Sequence, residues 1–460
     1  MTRRVVVVGA GITGLAAAHR LLAASEPPEV VVLESAARPG GRVASVTVGG
    51  LELEAGPDSF LARKLEAIEL CRELGLGNAL VPAAVAAARL WTADGLVPFP
   101  PGPLGIPTSL GELWGRPRLG VPAKLRASLD LVLPRRRGDA DESLASLLHR
   151  RLGRRASAEL VEPLLGGVLG GDVDRLSAAA TFPELVEWER GRGSLIRGAC
   201  GAAAARRPAS VGGEGGSGTS GTFLSVRGGL RRLIDALVDV LGERVRTGTA
   251  ATGLERDGAG FALQAGDAEL EADGVIVTTP AAAAAALVAD AEPNVARGLA
   301  QLRSTSSAVV PLVYPDGTDA ALPDSSGFVA MPGLLPISAA TLVSRKWPEP
   351  AFGDRAVIRA FVPEGPLLDR SDDEVIAAAA GALARVYGLP REPAAATVVR
   401  WSDAMPQYEV GHLDRVEAIR ATLPPGLAVA GAALGGVGIP DCIRQGGEAA
   451  DRVAAILARA

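Results

Sequence analysis

At 460 residues the chain exceeds what one hydrophobic core usually supports, so two or more domains are expected. Its 47 basic and 52 acidic side chains leave a net charge of −5, which excludes the basic field that broad nucleic-acid binding requires. Hydrophobic residues reach 48% but aromatic residues only 3%, so the cores must be packed largely by Ala, Val and Leu.

The first element is an apolar run, Val5-Val-Val-Val8, which reads as a buried parallel strand. A helix over 13–24 follows, with Leu15, Ala18, Leu21 and Leu22 on one face. Gly9, Gly11 and Gly14, with Ala10, Ile12 and Thr13 between them, fill the turn. Gly9 permits the bend, Gly11 leaves no side chain between backbone and ligand, and Gly14 lets helix and strand close on each other. The helix start presents unpaired N–H groups and a positive dipole end, which suits a pyrophosphate. A second apolar strand ends in Glu34 and Ser35, and 34 − 14 = 20 is the spacing at which a carboxylate meets an adenosine ribose. A glycine-rich chain makes such turns without a ligand, but here strand, helix and acidic strand end occur in order and point to a dinucleotide. The triplet alone does not separate NAD from FAD. The next motif, Arg38-Pro-Gly-Gly-Arg42, resembles the second one of FAD-containing oxidases related to amine oxidases. The resemblance implies FAD, with Gly41 letting the chain pass close to it and Arg42 near its phosphate and ribityl region. The alternative for Arg42 is an ordinary surface charge.

Residues 42–48 and 51–54 alternate around Gly49-Gly50, a hairpin signal. Gly56-Pro57-Asp58-Ser59 then reads either as a turn before a helix over 65–74, with Asp58 or Ser59 as its cap, or as a turn against the flavin. Residues 91–122 are rich in Pro and Gly, so the cofactor part gives way there. Helical patterning returns at 124–133, 143–152 and 156–165, which predicts a helical insertion. Arg135-Arg136-Arg137 reads as a solvated turn, or as a patch for an acidic substrate or a lipid surface. Residues 199–221 are rich in Ala, Gly and Ser and read as a flexible loop.

A helix over 230–241 comes next, and segments around Val245 and 274–280 read as strands returning to the first domain. Residues 304–387 carry alternating strands such as 308–313 and 356–361, a mixed sheet for a substrate domain. Finally 427–431 is a buried strand, and Val437-Gly438-Ile439-Pro440 opens a helix with Ile443, Ala450, Val453, Ile456 and Leu457 inward. Pro440 suits the first helical turn. The N–H groups there suit the N1 and C2=O pole of a reduced flavin, so both ends of the chain would hold one cofactor.

Cys71, Cys200 and Cys442 are far apart, which argues against a disulfide framework or a zinc site and fits a reducing cytoplasm. The first strand begins at about residue 4, so no cleaved leader is expected. The longest apolar run, 281–289, is too short to span a bilayer, so any membrane contact is expected to be peripheral.

Longer blocks carry a more specific resemblance. They are Gly56-Pro-Asp-Ser-Phe-Leu-Ala-Arg-Lys64, the stretch 162–177 with Ala180-Thr-Phe-Pro183, Phe223-Leu-Ser-Val-Arg-Gly-Gly-Leu230, the stretch 401–412, and Gly436-Val-Gly-Ile-Pro-Asp-Cys-Ile-Arg-Gln-Gly446. Through these blocks nearly the whole chain resembles the oxygen-dependent protoporphyrinogen/coproporphyrinogen oxidases of haem biosynthesis, and the wording is closest to the Gram-positive bacterial type acting on coproporphyrinogen III. Ala432-Ala433-Leu434 departs from the family, which more often carries a polar or aromatic residue there.

The resemblance implies an α/β fold: a Rossmann-like FAD-binding domain, a mixed-sheet substrate domain and a helical insertion, the amine-oxidase-like flavoprotein architecture. Residues 1–85, 222–290 and 395–460 would form the FAD-binding domain, and 86–100 with 300–394 the substrate domain. Residues 91–205 would be mainly helical, with a face that could meet a membrane. Flavin contacts would fall on Gly9, Ala10, Gly11, Ile12, Thr13, Gly14, Glu34, Ser35, Gly41, Arg42, Gly56, Pro57, Asp58, Ser59, Val245, Trp401, Val437, Gly438 and Ile439. Trp401 has a plainer alternative as a core residue at a strand end.

The implied reaction takes hydride from the porphyrinogen to FAD, and O₂ reoxidises the cofactor with release of hydrogen peroxide. No side chain must act as a base. His19, His149 and His412 have no nucleophile or metal partner at a recognised spacing and read as structural or exposed. Substrate propionates call for cations at the pocket rim, with Arg63, Lys64 and Arg89 as candidates and solvated surface charge as the alternative for each. Partners would be the porphyrinogen and O₂, with room for a transient haem-pathway enzyme; the oligomeric state stays open. Rival readings are a flavin amine oxidase or carotenoid desaturase, and a binding protein that keeps the fold without catalysis. Scarce aromatics count against the aromatic cage of an amine oxidase.

Overall fold

A computed structural model describes residues 3–162, 171–205, 222–258 and 260–459. Its first sheet is wholly parallel, in the order Val245–Arg246, Glu29–Leu33, Arg4–Val8, Gly274–Val277, Leu427–Val429. Val5 and Val7 enter one core with the helices Ile12–Leu22, Arg231–Leu241 and Ile439–Leu457. Val6 and Val8 enter the other, under the antiparallel strands of 251–272 and the helices Ala281–Leu287 and Pro293–Ala300. Burial on both faces is why the strand is an unbroken apolar run and does not alternate.

The second sheet is mixed. Its order is Ala395–Ala396, Ser304–Val313, Val357–Val362, Ala339–Leu342, Gly327–Ala330, Ala88–Thr92, Gly95–Pro98, with Val399–Pro406 also pairing with Ser304–Val313. Only Gly327–Ala330 and Ala88–Thr92 run parallel. One face packs on the helix Asp372–Tyr387, which the capping box of Ser371 and Glu374 starts. One boundary differs from the sequence expectation. Residues 395–406, grouped by sequence with the FAD-binding part, add strands here, and because their partner strand Ser304–Val313 lies far away in the chain, local pattern could not assign them. Residues 88–98 form a hairpin of this sheet, inside the 86–100 part expected for the substrate domain, so the helical insertion begins after it and not at 91.

The helical insertion has its own core, built around an ion pair. Arg151 and Asp130 are fully buried, with Nε to Oδ1 at 2.6 Å. Asp130 also accepts from Ser194 Oγ at 2.5 Å and Ile196 N at 2.9 Å, and Arg151 donates to the Gly193 carbonyl at 2.6 Å. This network ties the helix Leu144–Leu152 to the start of Leu195–Ala205, and it completes the hydrogen bonding that a buried pair needs. The helix Leu195–Ala205 corrects the expected loop: 199–205 are helical, as an Ala-rich stretch permits, and 206–221 lie outside the described residues. Likewise the helix expected over 156–165 ends at Leu160, and 163–165 lie outside them. The expected cap at Asp58 or Ser59 is also corrected: the helix Glu66–Glu73 has Leu65 at its N-cap with no side-chain bond.

Candidate functional site

At the end of the first strand Gly9 has φ of 104°, and a Cβ on Gly14 would stand 1.9 Å from the Gly9 carbonyl oxygen. These two glycines are needed for the fold itself. Gly11 is different: a Cβ there would meet nothing within 4 Å, so its missing side chain leaves open space before the helix Ile12–Leu22. That helix starts at Gly11 without a side-chain cap, leaving its first N–H groups available. Ala10, Ile12 and Thr13 are buried behind the turn. Glu34 accepts from Ala10 N at 2.8 Å and Ala36 N at 2.9 Å, with Ser35 Oγ 3.4 Å away, so its carboxylate is fixed beside the glycine turn. Val245 stands next to it in register with Val32, and Glu34 N donates to the Arg246 carbonyl at 2.9 Å. Gly40 N donates to the Ala10 carbonyl at 2.8 Å, and a Cβ on Gly41 would come within 3.3 Å of Gly11 Cα.

The C-terminal helix Ile439–Leu457 lies beside the first helix and runs parallel to it. A Cβ on Gly446 would stand 2.3 Å from the Thr13 carbonyl oxygen, and further along both helices Arg20 and Asp451 pair at 2.8 Å. Gly446 is seven residues past its helix start and Thr13 is one past its own, so the C-terminal helix projects six residues further, about 9 Å at 1.5 Å per residue. It too begins without a side-chain cap, at Gly438, with Val437 half-exposed before it and Ile439 buried after it. Two parallel, uncapped helix N-termini therefore open at one end of the sheet, staggered along a common direction. Arg42 adds a half-buried cation: among the described residues no carboxylate pairs with it, its guanidinium donates only to the Asp403 carbonyl at 3.3 Å, and partial burial lowers its pKa. Staggered anion-seeking groups with a glycine-lined approach fit a flavin dinucleotide, whose pyrophosphate would meet the first N-terminus and whose flavin pole the second.

The turn over 55–59 is held from the second sheet. A Cβ on Gly56 would stand 1.8 Å from the Arg42 carbonyl oxygen, so this turn packs directly on the arginine. Trp401 Nε1 donates to the Ala55 carbonyl at 2.8 Å, and Arg359 Nη2 donates to the Gly56 carbonyl. Past Pro57, the Asp58 carboxylate receives Lys346 Nζ at 3.1 Å, Trp347 Nε1 at 3.1 Å and Ser59 Oγ at 2.8 Å, with Arg359 Nη1 at 3.4 Å. Burial alone would raise the pKa of Asp58, but Arg359 and Lys346 outweigh it and hold it at about 2. Close by, burial pushes Glu54 up to about 7 against the opposing effects of the Leu230 N–H and Arg359. Sequence reasoning missed Arg359, Lys346 and Trp347. The only signal was Arg359 itself, a charge inside an otherwise apolar strand, Val357–Val362.

The three rim candidates do not converge. Arg63 pairs with Glu184 at 3.3 Å and Lys64 with Asp441 at 2.6 Å, in the first turn of the C-terminal helix. Arg89 is in register with Phe328, which packs in the core under Asp372–Tyr387, so it stands on the helix-covered face of the second sheet. Arg359 and Phe361 point from the opposite face, since Ile358, Ala360 and Val362 between them fill that core. On Phe361's face, Val309, Phe361, Ala339 and Val329 align across four strands as an apolar row leading away from the flavin turn. At the end of the sheet, a cleft of about 260 Å³ has Arg175 and Arg303 in its lining, each answered by Glu409 at 2.7 and 3.7 Å. His149 pairs with Glu162 at 2.8 Å, and His19 is 3.8 Å from Glu73. His412 is buried and stacked on Tyr408, and burial lowers its pKa to about 4.

The family of flavin containing amine oxidoreductases matches residues 12–454. A coproporphyrinogen III oxidase of Bacillus subtilis is 35% identical over 96% of this chain and 96% of its own, and one of Propionibacterium freudenreichii is 36% identical over 97% and 90%. Human protoporphyrinogen oxidase is 31% identical over 98% of each chain. A solved structure from Exiguobacterium superposes with a TM-score of 0.86 at 32% identity, covering 100% of this chain and 99% of that one. A putrescine oxidase, at 18% identity and a TM-score of 0.70 over 99% of each chain, shares the fold.

Proposed function

The chain belongs to the flavin containing amine oxidoreductases, and on that premise we propose that it oxidises coproporphyrinogen III to coproporphyrin III with FAD and O₂, releasing hydrogen peroxide, in haem biosynthesis. The observation that carries the reading is identity to named coproporphyrinogen III oxidases over almost the full length of both chains. The site is chemically consistent with it. FAD, when bound, supplies the two-electron acceptor that O₂ restores. The chain supplies the rest: the N–H groups at Gly11 and Gly438 and the cation of Arg42 neutralise the cofactor's anionic groups. Gly41 and the turn 55–59 would bring backbone close to it, with Trp401, Arg359 and Lys346 fixing that turn. The row Val309, Phe361, Ala339 and Val329 offers an apolar floor for a macrocycle and excludes water from it. No side chain is assigned as a base.

The propionates of the substrate need cations at the mouth of this site. Arg63 and Lys64 flank it, but each is already paired, and Arg89 faces the other way; Arg63 and Lys64 therefore remain the rim candidates, released when a carboxylate displaces Glu184 or Asp441. Among the described residues no helix is long and apolar enough to cross a membrane. Val121, Leu125, Leu129 and Val132 are exposed at helical spacing on the insertion, which supports peripheral contact of a cytoplasmic protein with a lipid surface.

Aerobic incubation with coproporphyrinogen III and, separately, protoporphyrinogen IX tests the reading. Faster porphyrin fluorescence and peroxide with the former are expected; faster turnover of the latter favours a protoporphyrinogen oxidase, and neither product with either substrate defeats the proposal.

A further inference from the structure

We infer that Tyr408 is a positioning residue for the flavin: its hydroxyl pins the segment that carries the N-terminus of the C-terminal helix, and so sets how that N-terminus meets the anionic pole of the cofactor. This rests on the FAD reading above and extends it to a residue outside the expected contact set.

The segment that needs pinning is the short helical turn Ala432–Gly435, between the strand Leu427–Val429 and the C-terminal helix. Its flanks are Gly431 and Gly436, with φ of 133° and 115°, conformations that other residues rarely adopt and that leave both joints soft. Tyr408 bridges the segment. Its hydroxyl donates to the Ala432 carbonyl at 2.5 Å and accepts from Gly436 N at 2.7 Å. The other side-chain contacts are longer: Gln445 accepts from Gly431 N at 3.4 Å and donates to the Gly436 carbonyl at 3.5 Å, and Arg444 donates to the Gly435 carbonyl at 3.1 Å.

Tyr408 is itself fixed. Its ring stacks on His412 with centroids 4.1 Å apart, and its carbonyl accepts from Ser177 N of the helical insertion at 2.7 Å. A buried phenol fixed by its own contacts thus holds both ends of a glycine-flanked segment, whose closing Gly436 is two residues before the uncapped N-cap at Gly438. Tyr408→Phe keeps the ring and the stack and removes only the bridge.

The test is sulfite titration of the FAD-loaded full chain, because sulfite adds to the flavin and leaves negative charge at its N1 and C2=O pole. In Y408F the sulfite Kd is expected to rise about tenfold, with the two-electron midpoint potential lower by about 30 mV, the same factor converted. Unchanged sulfite affinity and potential in a Y408F protein that retains FAD overturn the inference. Gln445→Leu is the second variant and does not depend on the folding of Y408F. It is expected to stay within twofold of wild type, and a tenfold loss there assigns the pin to Gln445 and overturns the role of Tyr408. If the unmodified protein takes up no FAD after reconstitution, it is the flavin reading that fails.

Discussion

Trp401 and Ala55 are 346 residues apart in sequence, yet the indole N–H of the first donates to the carbonyl of the second at 2.8 Å. One bond joins the edge of the second sheet to the turn that packs on Arg42, so both sheets hold what would be one wall of the proposed flavin site. Trp401→Phe leaves that carbonyl without its donor and is expected to destabilise the protein by about 1 kcal/mol while weakening FAD binding. Thermal unfolding with and without added FAD checks both; an unchanged FAD-dependent shift would show that the bond does not reach the cofactor.

Asp58 ties the same turn to Lys346 and Arg359 as an ionised group with its pKa lowered to about 2. A lowered carboxylate contributes stability above its unfolded pKa of 3.8, and the contribution fades as pH falls through 2. Asp58→Asn strands two buried cations and is expected to cost about 3–5 kcal/mol at pH 7. Urea melts of both proteins should converge toward pH 2; a gap that persists undiminished there would show that packing, and not charge, is what the substitution removes.

Glu54 has the opposite sign. Its folded pKa of about 7 is above the ordinary 4.5, so its favourable contribution is complete below pH 4.5 and is lost as pH rises through 7. Glu54→Gln, which keeps an acceptor for Leu230 N, should therefore match wild type near pH 4 and exceed it above pH 8, by on the order of 3 kcal/mol. Stability curves that run parallel across this range would place the ionised form in the folded protein.

The glycines of the first turn separate folding from binding. Gly14→Ala drives a methyl into the Gly9 carbonyl and is expected to lower the melting temperature of the apoprotein sharply. Gly11→Ala meets empty space and should leave the apoprotein's melting temperature nearly unchanged while weakening FAD binding tenfold or more. Fluorescence titration with FAD measures the second effect, and full affinity in G11A would move the pyrophosphate elsewhere.

What the sequence made legible was whatever is local. The Val5 to Val8 run, the spacing of Gly9, Gly11, Gly14 and Glu34, and the Pro440 helix start each follow from neighbours within a few turns, and the structure has the strand, helices and parallel sheet they predict. Hidden from it was whatever depends on two sheets meeting. Asp58 reads as a helix cap because its true partners are 288 and 301 residues away at Lys346 and Arg359, and Arg89 reads as a rim cation because nothing local says which face of its strand is covered. The strand Val399–Pro406 resisted assignment for a related reason. Its pairing shifts register between Thr305 and Ser307, and Asp403 takes a φ of 46°, so it shows no clean alternation.

The side-by-side packing of the first and last helices also makes retention of the prosthetic group depend on the two extremes of the chain together. A polypeptide truncated before Ile439 keeps the glycine turn but loses the second anion-seeking N-terminus, and such polypeptides should accumulate colourless.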